Sequence, residues 1–170
     1  MDDFQLKKLT SAGVSGAIDK VKQYRLLNEP GTAESICRDV LDIEPGHAEA
    51  TVLLILTLTD MFVRSLGGRF EEAQGLAQGL PGPYERAYYT GIVYERRAQA
   101  HLRSNAPQCG PMAYDWLRRA MARFEEAEQV RPPGDDQALL RWNACVRRLR
   151  ALPELRPAGD EYGEPTLQID

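Results

Sequence analysis

One spacing occurs twice in this chain: Ala33-x3-Cys37-x2-Val40-x4-Pro45, then Ala120-x3-Phe124-x2-Ala127-x4-Pro132. In each, small or apolar residues recur at the helical period and a proline closes the run, because proline supplies no N–H and clashes with a continuing helix. The same punctuation on two separate helices implies one structural unit used more than once.

Proline and glycine divide the remainder. A first helix is expected from a Ser15 cap to about residue 28, with Ala17, Ile18, Val21 and Tyr24 inward. Thr32 is expected to cap a second helix, ended by Glu44-Pro45-Gly46. A third, about 48–64, is apolar nearly all round (Val52 to Leu56, Leu58, Met61, Phe62), which predicts burial between neighbours. A fourth spans about 70–79, and Pro81-Gly82-Pro83 stops it. A fifth runs from Tyr84 to about 103, and residues 105–112 read as a loop holding Cys109. A sixth covers about 113–130, and a seventh begins at Asp135 or Asp136 and reaches Pro153. No segment reads as a strand. Joined by such short breaks, successive helices must run antiparallel.

The domain reading is a flexible arm over 1–13, a helical body over 14–152 and an acidic, disordered tail over 153–170. The net charge of −4 is unevenly spread. Residues 1–83 hold 8 Lys/Arg against 12 Asp/Glu, residues 84–152 hold 12 arginines against 8 acids, and the tail holds one arginine against five acids. Beyond Lys22 every basic residue is arginine, the cation suited to bidentate carboxylate contacts. The tail places Asp160, Glu161 and Glu164 beside Tyr162, Leu167 and Ile169 and ends in Asp170, so it is expected to compete for the basic helices.

The pattern resembles the tetratricopeptide repeat (TPR). Tyr24, Ala33, Cys37, Val40 and Pro45 keep that family's spacing across a hairpin; Gly91, Tyr94, Ala120, Phe124, Ala127 and Pro132 keep it across another. The middle unit retains Gly68, Ala73 and Ala77 without the proline. Its alanines at 33, 73 and 120 stand 40 and 47 residues apart rather than the family's ~34. The resemblance implies an all-α, right-handed α-solenoid of three degenerate hairpins, with the seventh helix as a cap. It implies further that the first helix of each hairpin lines a concave groove. The candidates so placed are Lys22 and Arg25; Val52, Leu56 and Thr59; Tyr88, Ile92, Glu95 and Arg96; and Leu139, Asn143 and Arg147.

Chemistry is sparse by comparison. There is no G-x-x-x-x-G-K-[ST], G-x-G-x-x-G or G-x-S-x-G run and no C-x-x-C. His47 reads as a turn residue and His101 as a helix-end residue. Cys37 and Cys145 read as small core hydrophobes. No catalytic residue, metal or cofactor is expected. The acidic balance and the lack of stacking aromatics, apart from Trp142 read as packing, among Arg141, Arg147, Arg148, Arg150 and Arg156 argue against nucleic acid. The opening MDDFQLKKLT has no apolar leader core, so the chain reads as cytoplasmic with no membrane segment. The expected function is a non-catalytic scaffold or adaptor binding a protein or peptide segment, an acidic one included. The alternatives are a chaperone for a secreted client and, from another class, a small enzyme or nucleic-acid-binding regulator.

Overall fold

A computed structural model describes residues 4–64, 67–104 and 107–155. After a 3-10 turn at Ser11–Gly13 come α1 (Val14–Leu26), α2 (Pro30–Ile43), α3 (Ala48–Asp60), α4 (Arg69–Gln78), α5 (Pro83–Ser104), α6 (Cys109–Gln129) and α7 (Gln137–Ala151). A second 3-10 turn, Pro153–Leu155, follows, and no strand occurs among the described residues. The protein is therefore all-α. Each helix packs on the next, α5 against α6 most extensively, and α1 touches α3 as α3 touches α5.

The duplicated motif is a packing motif. Ala33, Cys37, Val40, Ala120, Phe124 and Ala127 have no exposed surface at all. Phe124 sits directly on the bare backbone of Gly91: a Cβ there would lie 2.6 Å from its ring. That close approach admits only glycine without displacing a core aromatic. α3 buries Leu53, Leu54, Ile55 and Leu58, as expected of a helix apolar around its circumference. Beside it Phe62, Phe70, Tyr94 and Trp116 form a connected aromatic cluster, Phe70 and Trp116 meeting edge to face at 5.2 Å between centroids.

Several helix ends differ from the sequence expectation, each for a local reason. α1 begins at Val14 with Gly13 as its cap, because the 3-10 turn already carries the chain into helical geometry; Ser15 lies inside the helix. α2 begins at Pro30, not after Thr32: proline suits a first helical position, where its missing N–H has no partner to lose. Pro83 likewise opens α5 rather than closing α4. The second half of the expected 105–112 loop is helix. α6 starts at Cys109, and Pro111 falls in its first turn, where a backbone donor is not needed.

His47 is not a plain turn residue. Its Nδ1 accepts the Ala50 N–H at 3.2 Å and so caps α3. At α7, Asp135 accepts both the Gln137 N–H at 2.9 Å and the Tyr84 hydroxyl at 3.0 Å, tying the starts of α5 and α7 together. The packed chain continues past α7, for Leu155 is buried and its turn rests on α6. Residues 156–170, on which most of the tail reading falls, lie outside the described residues.

A candidate anion-binding cleft

Three alternate helices meet at one opening. Lys22 and Arg25 come from the last two turns of α1, Asp60 from the end of α3, and Arg96 and Arg103 from α5. Leu26, Asn28 and Pro30, around the α1–α2 turn, complete the rim of a cleft of about 440 Å³. Arg96 and Arg103 are seven residues apart, two helical turns, and so share a face. Asn28 takes a left-handed conformation (φ 59°), which asparagine tolerates better than most residues and which turns the chain into α2.

Charge is unbalanced here. Arg25 Nε donates to Asp60 Oδ2 at 2.8 Å, and Arg96 stands 4.0 Å from Asp60 Oδ1. An acid at a helix C-terminus opposes the macrodipole; Arg25 compensates Asp60 for that position. Lys22 reaches out to Glu49 at 2.7 Å and to Asp19 at 3.8 Å, and the Glu49 contact raises its pKa. Arg103 has no salt bridge among the described residues, and the buried Nε of Arg96 has no hydrogen-bond partner there. Four cations thus face one lining carboxylate, with the α5 arginines least satisfied. Leu26 stands 89% exposed beside them. The lining holds no histidine, cysteine or hydroxyl side chain, so the cleft offers charge, amide donors and apolar contact rather than a reactive group.

Several other arginines are committed elsewhere. Glu95, only 3% exposed, is held by Arg141 at 3.2 Å, Arg148 at 3.7 Å and the Gln99 amide at 3.1 Å. Arg97 lies over Phe70 at 3.8 Å and over Trp116 at 4.6 Å, and Arg119 lies over Trp116 at 4.7 Å. Burial lowers the pKa of Arg97; burial and then the Arg97 charge lower that of His101. Burial pushes Cys37 up to about 11 and Cys145 up to about 12, which leaves both as inert thiols at neutral pH.

Of the sequence-predicted groove residues, Lys22, Arg25 and Arg96 come together in the cleft. Tyr88 and Ile92 lie in the core at 7% and 2% exposure, because α5 is covered by α4, α6 and α3 and presents little free face. Leu56 is half-buried against the core. Asn143 and Arg147 sit on α7, half-buried and exposed respectively, and neither lines the cleft. Arg103 and Asp60 were missed. The seven-residue step from Arg96 was the available signal for Arg103; nothing local marked Asp60.

Cys109 is half-buried at the start of α6, not in a loop. Among the described residues no group of three or more His, Cys, Asp or Glu could hold a metal ion, and no helix is long and apolar enough to cross a membrane. No protein-family model, curated protein or solved structure matches the chain.

Proposed function

We propose that this chain is a non-catalytic protein-interaction module, a degenerate TPR-like stack of helical hairpins capped by α7, that holds an acidic protein segment against α1, α3 and α5. One observation carries the reading: four cations and an exposed leucine surround a cleft with a single carboxylate in its lining. Arginine guanidinium and asparagine amide donors suit side-chain carboxylates and peptide carbonyls, and Leu26 adds an apolar contact at the rim. The cross-contacts among α1, α3 and α5 agree with the side-by-side placement of first helices that such a stack requires.

The test uses two labelled synthetic peptides of equal length, one of glutamates and leucines, the other with lysines replacing the glutamates. Fluorescence anisotropy is read on the intact chain and on the Arg96→Glu/Arg103→Glu variant. The acidic peptide binds at least about tenfold tighter than the basic one, weakens as salt shortens the Debye length, and loses about tenfold in the variant. Equal binding of the two peptides, or no response to the charge reversal, removes the cleft as the site.

A further inference from the structure

The chain carries its own ligand of the right chemistry. Residues 156–170 hold one arginine against four acids, a net charge of −3, with Asp160, Glu161 and Glu164 clustered around Tyr162 and followed by Leu167 and Ile169. We infer that this segment occupies the basic cleft of its own molecule, so that a partner must displace it. The inference rests on the proposed function and names the regulation of that same site.

Leu155 is buried, and its turn rests on α6, which fixes where the segment departs. Fifteen residues follow Leu155, enough to span about 50 Å when extended. The clustered acids, Asp160 to Glu164, lie five to nine residues past Leu155, a reach of about 17–30 Å when extended, against a radius of gyration of about 15 Å for a body of this size. Tethering raises the local concentration of the segment to about millimolar. Even a contact of about 100 μM affinity would then keep the cleft roughly nine-tenths filled.

The chemistry on the two sides matches. Acids in the segment meet the incompletely paired Arg96 and Arg103, and its apolar residues meet Leu26. The rival basic surface is α7, where Arg147 and Arg150 are exposed and lie closer in sequence to the segment. The acid of its seam, Glu95, already occupies Arg141 and Arg148.

The experiment keeps the chain at full length and neutralises the segment: Asp160→Asn, Glu161→Gln, Glu164→Gln and Asp170→Asn together. The probe is a labelled synthetic peptide with the sequence of residues 158–170, added in trans. The neutralised chain binds it about tenfold tighter than the native chain. Arg96→Glu/Arg103→Glu abolishes that gain, whereas Arg147→Glu/Arg150→Glu does not. Equal affinity of native and neutralised chains overturns occupancy in cis, while the cleft reading stands if Arg96→Glu/Arg103→Glu weakens both. No binding of the probe to either chain, where the glutamate–leucine peptide still binds, also overturns it and leaves the cleft reading intact. Failure of both peptides removes both readings. Loss of the gain in Arg147→Glu/Arg150→Glu moves the contact to α7 and overturns the inference. A native dimer in sedimentation that the neutralised segment abolishes replaces occupancy in cis by exchange between copies.

Discussion

α5 presents arginine chemistry of two opposite kinds within two residues. At Glu95 it meets α7, and the acid is buried with two arginines and a glutamine amide around it. At Arg96 it meets α1 and α3, and a cleft opens in which cations outnumber the acid. In the seam the acid is buried and held by two arginines and an amide, so the pairing specifies how α7 docks. In the cleft the acid, Asp60, is partly exposed, cations outnumber it, and Arg103 has no salt bridge among the described residues, so the charges contribute less to folding. Arginine enrichment in a sequence says nothing about which of these uses applies; the location of the carboxylates does.

The seam is the place to test this contrast hardest. Arg141→Ala/Arg148→Ala leaves Glu95 buried without a cation and costs about 3–5 kcal/mol in urea unfolding. Adding Glu95→Met to that background recovers most of the loss, since an apolar side chain asks for no partner. A double variant as stable as the native chain would make the seam equivalent to the cleft.

Gly91→Ala comes next. Its Cβ would press on the Phe124 ring at 2.6 Å, and overpacking of this kind costs about 1–3 kcal/mol. Because α5 carries both regions, the same variant is expected to shift the cleft, read as a weaker affinity for the glutamate–leucine peptide. Loss of stability with unchanged affinity would show that the cleft does not depend on how α5 seats.

The two buried thiols report on the two regions separately. Burial raises both; at Cys145 the Glu95 charge adds to it while Arg148 and Arg141 work against it, and at Cys37 Arg25 and Arg38 work against it while Glu34 adds to it. Both folded pKa values lie above the unfolded thiol value of about 8.5, so their contribution is complete below that pH and is lost as pH rises through the folded values. Thermal unfolding followed from pH 8 to 11 falls more steeply in the native chain than in Cys37→Ala or Cys145→Ala. Thiol labelling modifies Cys109 first, then Cys37, then Cys145.

The smallest expected effect completes the series. Arg103→Ala changes stability by no more than about 0.5 kcal/mol, yet weakens the acidic peptide severalfold. A larger loss of stability would place Arg103 among the structural arginines instead.

Helix number and order were legible in the sequence because proline and glycine mark each break and the apolar stripes between them are long. Helix starts were less so. Pro30, Pro83 and Pro111 look like terminators in a string of letters, yet each lies in the first turn of a helix, where it is harmless. Three cleft residues, Lys22, Arg25 and Arg96, were found because the resemblance to a helical repeat assigns α1 and α5 to an inner wall. On α7 the reading failed, since that helix bears arginines around its circumference. Arg147 and Arg148 differ by 100° of rotation, and only the position of Glu95 on another helix decides which turns inward. The same applies to Tyr88 and Ile92, whose burial depends on three neighbours rather than on α5 itself.

Phe124 resting on Gly91 acts as a pin between the two longest helices. With a flat ring keyed into naked backbone, α5 and α6 cannot slide or roll past one another without breaking that close fit. Those two helices travel together as a rigid plate, and whatever give a ligand demands must be supplied by α1 and α3 on the opposite bank.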